Sequence, residues 1–201
     1  MCYNTRITKP AEELEKRFNA TFENKDQLQI PSVFNAFTFP QTPVITNNHI
    51  DKIQLFNWGL IPPWAKDITI RKNTLNARVE TIHEKPSFKG VLNNRCLVIA
   101  DGFYEWQWLD DKGKQKQKYE LVLPDEELFG FAGLWNEWVD KETGEIINTY
   151  TILTTQANEL MSKIHNTKKR MPVIIKKGFE KDWLLDSKMN LDNDRIIAKM
   201  L

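Results

Sequence analysis

The fold class depends on two consecutive segments, Arg95-Cys-Leu-Val-Ile-Ala100 and Phe103-Tyr-Glu-Trp-Gln-Trp108. After Arg95 the first segment is apolar throughout, and its length and composition are those of a buried strand. The second is rich in aromatic residues, which favour the half-buried surface of a pleated sheet. Together they predict two β-strands around which the rest of the chain is organised.

Outward from these segments the pattern predicts more strands, short helices and tight turns. Asp110–Lys114 and Lys141–Glu145 each place a glycine where a hairpin turn tolerates positive φ. Further strands are expected at Val33–Phe37, Pro43–Thr46, Ile53–Trp58, Lys118–Leu123, Leu128–Trp135, Asn148–Thr154 and Val173–Ile175, and helices at Pro10–Asn19, Ala157–Ile164 and Phe179–Leu185. We therefore expect a single α+β domain over residues 1–201, with a curved, mostly antiparallel sheet and a few short helices.

Composition excludes several classes of protein. The 201 residues carry 28 Lys and Arg against 27 Asp and Glu, so a histone-like protein is excluded, although a local basic groove is not. No apolar run approaches the roughly 18 residues of a membrane span, and Met1–Pro10 lacks the apolar core of a secretion signal. Two cysteines are too few for a disulfide framework or a four-cysteine zinc site. A cytoplasmic protein without a membrane partner is expected.

Cys2 is the second residue of the sequence and becomes N-terminal if Met1 is removed. If Met1 is removed, Cys2 carries a free α-amine, with a pKa of about 8, beside a thiol whose pKa is about 8.5. Such a 1,2-aminothiol condenses with an aldehyde to an imine, and the thiolate then closes a thiazolidine ring. An internal cysteine such as Cys96 cannot do this, because its nitrogen is an amide. The alternative is that Cys2 is an ordinary second residue.

Glu105 is the acid with the least polar sequence neighbours. Strand alternation places it on one face with Phe103 and Gln107, between Tyr104 and Trp106 of the other face. Burial among such residues raises the pKa of a carboxyl group towards the range useful for general acid–base catalysis. The alternative is a structural carboxylate satisfied by arginine or backbone donors.

His165 and two cationic stretches suggest proton transfer and phosphate binding. Imidazole titrates near neutral pH, and none of the three histidines has metal-ligand spacing with another histidine or a cysteine, so no metal or cofactor is expected. Residues 162–178, which include Lys168, Lys169 and Arg170, contain no acid, and residues 66–78 contain only one. Together they would form a groove that follows phosphates; alternatively, they are two solvated surfaces that never meet.

The segment Asn76-Ala-Arg-Val-Glu-Thr81 combines groups that bind substrates. The Asn76 amide can orient a hydroxyl or carbonyl group, and the Arg78 guanidinium can bind a phosphate with two hydrogen bonds. A structural ion pair between Arg78 and Glu80 is the alternative. The chain also has seven tryptophans, suited to core packing and to stacking on bases.

Taken jointly, the motifs resemble the SRAP family, the SOS response-associated peptidase or abasic-site processing proteins. The resemblance covers nearly the whole chain, in order. Its parts are Met1-Cys2, Trp58-Gly-Leu-Ile-Pro-Pro-Trp64, Asn76–Thr81, Arg95–Leu97, Gly102–Trp106, Ala132–Trp135, Thr151–Thr155 with Ala157 and Asn158, and Ile164-His165 with Arg170–Val173.

The resemblance implies a compact α+β fold with a barrel-like sheet and a basic groove for single-stranded DNA. It implies that mature Cys2 forms a thiazolidine with the aldehyde of an abasic site, without a cofactor. Asn76 would position the substrate, Glu105 would handle protons during ring opening and imine formation, and His165 would assist proton transfer and release. The residues implied to contact or support DNA are Arg78, Arg170 and Trp64, joined by Lys168 and Lys169 of the cationic loop and by Arg6, the candidate replacement for an earlier arginine in relatives.

The sequence thus predicts a monomeric DNA-damage enzyme that crosslinks to abasic sites and shields them. Its peptidase activity would remove Met1, and crosslinking would be a lyase-type activity. Two other hypotheses remain open at this point. One is a module that binds single-stranded nucleic acid without a covalent bond, and the other is a hydrolase that uses Cys2 with His165.

Overall fold

Strands outweigh helices in the computed structural model, which describes residues 2–201. The strands are β1 (Asn4–Ile7), β2 (Thr21–Phe22), β3 (Ser32–Asn35), β4 (Gln41–Thr46), β5 (His49–Trp58), β6 (Asn76–Arg78), β7 (Arg95–Ala100), β8 (Gly102–Trp108), β9 (Lys116–Val122), β10 (Phe129–Val139), β11 (Ile146–Gln156), β12 (Arg170–Pro172), β13 (Ile174–Ile175) and β14 (Ile197–Met200). The α-helices are α1 (Ala11–Phe18), α2 (Pro86–Lys89), α3 (Glu159–Ile164) and α4 (Glu180–Asp186).

Five strands of the larger sheet form a closed ring. Strands β11, β10, β7, β4 and β5 pair antiparallel in that order. A short parallel pairing, Asn57 with Thr149 and Trp58 with Tyr150, then joins β5 back to β11. Closure removes the free edges that an open sheet would leave at these strands. The expectation of a single α+β domain with a curved, barrel-like and mostly antiparallel sheet is confirmed.

The two segments that decide the fold class lie in different sheets. Strand β7 belongs to the barrel, whereas β8 lies in a five-stranded sheet of order β14-β9-β8-β1-β3. The switch occurs at Asp101, a buried residue whose carboxylate accepts hydrogen bonds from the backbone N–H groups of Thr8 and Lys9. At Gly102 an added Cβ would clash with the Arg6 side chain, so glycine at this position leaves room for Arg6.

Both faces of β7 are buried, which explains why this strand is apolar at consecutive positions. In β7, Cys96 and Val98 pack in one core cluster together with Phe103 of β8 and residues of α3. Leu97 and Ile99 pack in a second cluster, which α1, α2 and α4 cover. Strand β7 therefore supplies core to both layers of the domain.

The helices are short, and two of them have an asparagine at one end. Helix α1 carries acids in its first turn and bases in its last, and Asn19 ends it in the left-handed conformation. Helix α3 begins two residues later than expected, because the Asn158 side chain accepts a hydrogen bond from the Met161 N–H (2.9 Å) and so caps the helix. Within residues 2–201, no helix is long and apolar enough to span a membrane.

Gly133→Ala tests how tightly the barrel is packed. An added Cβ would lie 2.7 Å from the Thr151 carbonyl oxygen and 2.8 Å from the Cys96 sulfur. We expect a loss of about 1–3 kcal/mol in the free energy of unfolding, because backbone cannot move aside cheaply. Urea unfolding measures it. Gly90→Ala is the control: its Cβ meets nothing within 4 Å and its φ is −77°, so a similar loss there would contradict the explanation.

Candidate active site

Cys2 lies in the protein core, held from two directions. Its side chain is fully buried in the cluster that contains Trp58, Phe103 and Tyr150. On one side the chain continues into β1, which pairs with both β3 and β8. On the other side Asn76 donates a hydrogen bond from Nδ2 to the Cys2 carbonyl oxygen (2.9 Å). The position of Cys2 is therefore set by the sheet and by β6.

Asn76 has one half of its amide engaged and the other half open. Asn76 begins β6, and the parallel pairing of β6 with β11 fixes the position of this residue beside Cys2. Its Oδ1 is buried and accepts no hydrogen bond from the part of the chain that the structure describes. A buried acceptor without a hydrogen bond destabilises the folded protein. A hydroxyl or amine group of a substrate can supply the missing donor.

Glu105 is a buried carboxyl group with a raised pKa. It projects from β8 and is 5% exposed. Burial raises its pKa from 4.5 to about 7, although a hydrogen bond from the Trp106 backbone N–H, one of the donors in the structural alternative, opposes this shift. The charge of Glu105 also helps burial to raise the pKa of the Cys2 thiol far above its ordinary value. The structure thus brings an acid–base group of near-neutral pKa to the cysteine.

His165 is held as a neutral ring with a defined tautomer. It follows the last residue of α3, and its Nδ1 accepts a hydrogen bond from the Arg170 backbone N–H (3.1 Å). The neutral ring must therefore carry its proton on Nε2. Burial lowers its pKa to about 4, and the positive charges of Lys168 and Arg170 add to the effect. At neutral pH His165 is a hydrogen-bond donor at Nε2 rather than an imidazolium ion.

Asn166 ties the loop that carries His165 to the strand that carries Glu105. Its Oδ1 accepts from the Trp108 backbone N–H (3.1 Å) and its Nδ2 donates to the Trp108 carbonyl oxygen (2.8 Å). The side chain thereby bonds to the end of β8 as a neighbouring strand would. Sequence analysis does not single out this residue, because the only local signal is an asparagine after a helix.

A cationic cleft of about 310 Å³ opens beside Cys2, with Tyr3 and Asn76 in its wall. Its charged lining residues are all basic: Lys72, Arg78 and Lys85. Trp64 is 57% exposed and donates from its indole N–H to the carbonyl oxygen of Pro86, another lining residue, so it supports the wall. Lys85 is absent from the sequence-based candidates because an acid precedes it and no cationic run marks it.

The two cationic stretches do meet. Strands β6 and β12 pair with opposite sides of β11, where Thr154 is the partner of both Arg78 and Pro172. Glu80 then binds the guanidinium of Arg170 with both carboxylate oxygens (2.9 and 2.8 Å). Glu80 thus pairs with Arg170 and not with Arg78, so the alternative of an ion pair between Arg78 and Glu80 is wrong, and the two stretches lie on either side of one strand.

Two predicted DNA contacts, Arg6 and Arg170, are buried and already engaged. The Arg6 guanidinium lies 2.8 Å from a Glu126 oxygen and 3.2 Å from a Glu120 oxygen. Arg170 binds Glu80 and donates to the Thr154 carbonyl oxygen (2.7 Å). Both guanidinium groups are thus paired with carboxylates in this structure. By contrast, Arg78, Lys168 and Lys169 are exposed.

A larger cleft, of about 650 Å³, lies elsewhere. Its lining mixes four acids with four bases and includes none of Cys2, Asn76, Glu105 and His165. Within residues 2–201, no three His, Cys, Asp or Glu side chains come together as metal ligands would. The convergence of polar groups on Cys2, rather than cleft size, marks the candidate active site.

Comparison with known proteins decides the family. The family described as SOS response associated peptidase (SRAP) matches residues 1–200. The chain belongs to the SRAP family. A crystal structure of a protein from Bacteroides thetaiotaomicron is similar to this SRAP chain with a TM-score of 0.89 and 36% identity, covering 100% of this chain and 92% of that one.

Curated relatives of this SRAP chain carry names that refer to abasic sites. "Abasic site processing protein YoqW" of Bacillus subtilis is 48% identical over 140 residues, which are 69% of this chain and 58% of that protein. "Abasic site processing protein HMCES" of Gallus gallus is 39% identical over 141 residues, which are 59% of this chain and 40% of that protein. This chain therefore matches little more than half of the length of its bacterial relative.

Glu105→Gln tests the raised pKa through protein stability. The pKa of Glu105 is about 7 in the folded protein and 4.5 in the unfolded chain. The contribution of Glu105 protonation to the free energy of unfolding is therefore fully present below about pH 4.5 and is lost as the pH rises towards 7. Gln does not titrate, so the variant should gain stability relative to the parent over this range, by up to about 3 kcal/mol. Urea unfolding at several pH values measures the difference; a pH-independent difference would contradict the raised pKa.

Proposed function

We propose that this SRAP chain, once Met1 is removed, forms a covalent thiazolidine between Cys2 and the ring-opened aldehyde of an abasic site in single-stranded DNA. The observation that supports this most is the convergence of Asn76 and Glu105 on Cys2 at the wall of a cleft whose charged residues are all basic. Met1 lies outside the described residues, so its removal, by self-processing or by another peptidase, belongs to the proposal. The names of the curated relatives point in the same direction.

The proposed reaction needs no redox partner. The unprotonated α-amine of Cys2 attacks the aldehyde carbon, and the resulting carbinolamine loses one water to give an imine. The Cys2 sulfur then adds to the imine carbon while its proton passes to the ring nitrogen. One C–N bond and one C–S bond form, the C=O bond is lost, and water is the only other product.

Glu105 is the proton carrier of this sequence. With a pKa of about 7, the carboxyl group exists in both forms at neutral pH, so it can give a proton to the leaving water and accept one from the thiol. The thiol needs such a base because burial keeps its pKa far above neutral pH. A carboxyl group with an ordinary pKa would be a poor acid at the first of these steps.

His165 and Asn76 position the reacting groups in the proposal. Neutral His165 can donate from Nε2 but cannot readily accept a proton, because its Nδ1 already accepts the Arg170 N–H. We therefore assign it a hydrogen bond to the oxygen or nitrogen that gains electron density during condensation and release. The buried Oδ1 of Asn76 would accept from a hydroxyl group of the opened sugar.

The cationic cleft would bind the phosphates on either side of the lesion. Lys72, Arg78 and Lys85 supply the charge, Trp64 supports the wall, and Lys168 and Lys169 would extend the path past His165. Arg6 and Arg170 take structural roles in this proposal, because carboxylates already neutralise them. The partner is single-stranded DNA, bound by a cytoplasmic monomer in which the crosslink shields the lesion from strand scission.

Cys2→Ala tests the covalent bond directly. Incubation of the mature protein with an abasic single-stranded oligonucleotide should give a band of lower mobility on a denaturing gel, and the variant should give none. Cys96→Ala is the matched control. It removes the other buried thiol, and because the backbone nitrogen of Cys96 is an amide, the variant should crosslink like the parent. Intact-mass measurement first establishes that Met1 is absent from each preparation.

The same experiment separates the competing functions. An equal band from Cys2→Ala would exclude thiazolidine chemistry. DNA binding that depends steeply on salt, with no band from either protein, would indicate a non-covalent binding module instead. Crosslinking by a chain that retains Met1 would also contradict the proposal, because the amine would be blocked.

Glu105→Gln tests the proton carrier through the pH profile of crosslinking. In the parent the rate should rise as the pH passes about 7, where the carboxyl group becomes an effective base. In the variant this inflection should vanish, leaving only the amine titration near pH 8, and the rate at neutral pH should fall by about 100-fold. An unchanged profile would remove Glu105 from the mechanism.

A further inference from the structure

Two aromatic rings, Tyr3 and Phe37, lie together beside the cationic cleft. Tyr3 follows Cys2 directly and lines the cleft. The ring of Phe37 packs on it, with 4.8 Å between ring centroids and 37° between ring planes. Phe37 nevertheless remains 57% exposed, so much of its ring faces solvent.

The exposed ring is held by its backbone. The Ala36 N–H donates to the Tyr3 carbonyl oxygen (2.8 Å), which fixes the turn that follows β3 against the start of the chain. The Asn35 side chain accepts from the Phe37 N–H (3.0 Å), and the Thr38 hydroxyl donates to the Asn35 carbonyl oxygen (2.8 Å). A ring held in this way loses little conformational entropy when a ligand covers it.

The neighbouring aromatic residue, Phe39, differs from Phe37 because a cation covers its ring. Phe39 lies two residues further on, and the Arg71 guanidinium lies 4.4 Å from its ring centroid. No cation–π partner is recorded for Phe37 within residues 2–201, and its packing on Tyr3 leaves the greater part exposed. The exposed Phe37 surface is therefore available to a flat partner.

We propose that Tyr3 and Phe37 form a stacking platform for the base next to the abasic nucleotide. This inference rests on the proposed function and extends it to substrate choice. An abasic nucleotide has no base of its own to stack, so stacking must come from a neighbour. Phe37 packs against the residue bonded to Cys2, which puts the platform within reach of the adjoining nucleotide, and the cleft cations Lys72, Arg78 and Lys85 would hold the phosphates between them.

The platform predicts that the affinity for DNA depends on the base next to the lesion, although the abasic nucleotide itself has no base. Base–aromatic stacking contributes enough that losing it weakens binding about 5- to 150-fold. Because purines offer the larger π-face, a flanking purine should bind more tightly than a flanking pyrimidine. The dependence should concern the base on one side of the lesion only, since the platform lies on one side of Cys2.

Binding of an unreactive lesion tests the platform apart from the chemistry. The probe is a fluorescent single-stranded oligonucleotide with one tetrahydrofuran residue, which cannot open to an aldehyde, flanked by adenines. Two further probes replace the adenine on one side or the other by a second tetrahydrofuran. For the parent, one replacement should weaken binding at least about fivefold. For Phe37→Ala, binding should be weak with every probe and insensitive to either replacement.

Two further variants complete the test. Phe37→Trp keeps an aromatic ring and should keep the base dependence, whereas Leu109→Ala removes a similarly exposed apolar side chain from a hairpin turn and should behave like the parent. Equal binding of all probes by the parent, or unchanged base dependence in Phe37→Ala, would overturn the inference. If the parent protein does not crosslink to abasic DNA but its binding still depends on the flanking base, the proposed function is refuted and the platform remains supported.

Discussion

The start of the chain is built into the middle of a sheet, and the rest of the site depends on this. Strand β1 lies between β3 and β8, so the residue two positions before it is held as firmly as a core side chain. The Asn76 amide then bonds the Cys2 carbonyl group from the other side. A terminal segment usually frays, but here backbone pairing holds Cys2, the proposed nucleophile, near a carboxyl group on the neighbouring strand. The fold thus supplies orientation before any substrate binds.

One physical cause, burial, shifts the pKa values of three titratable groups at the candidate site. It raises the pKa of Glu105 to about 7 and that of the Cys2 thiol far higher, because both lose charge when they are protonated. It lowers the pKa of His165 to about 4, because imidazole gains charge on protonation. The result is a neutral donor, a protonated thiol and a carboxyl group that exchanges protons near neutral pH.

A nearly neutral protein carries a cationic cleft because its acids are placed elsewhere. Arg6 and Arg170 are buried, and the carboxylates of Glu120, Glu126 and Glu80 lie against them. The net charge of +1 therefore says nothing about the cleft, whose charged residues are all basic. The fold decides which side chains come together, and the sign of the charge at that place decides what the surface attracts.

The sequence by itself determined the strands around Arg95–Trp108 and the α+β class, because these depend on local alternation and apolar runs; it offered Cys2, Glu105 and His165 as candidate site residues through their chemistry and the family resemblance. It did not determine that β7 and β8 belong to different sheets, that Glu80 pairs with Arg170, or that Lys85 lines the cleft and Asn166 bonds to β8. Those facts are contacts between residues far apart in the chain. Periodicity carries information about the face of one element but none about which distant element covers it, so only the tertiary structure decided them.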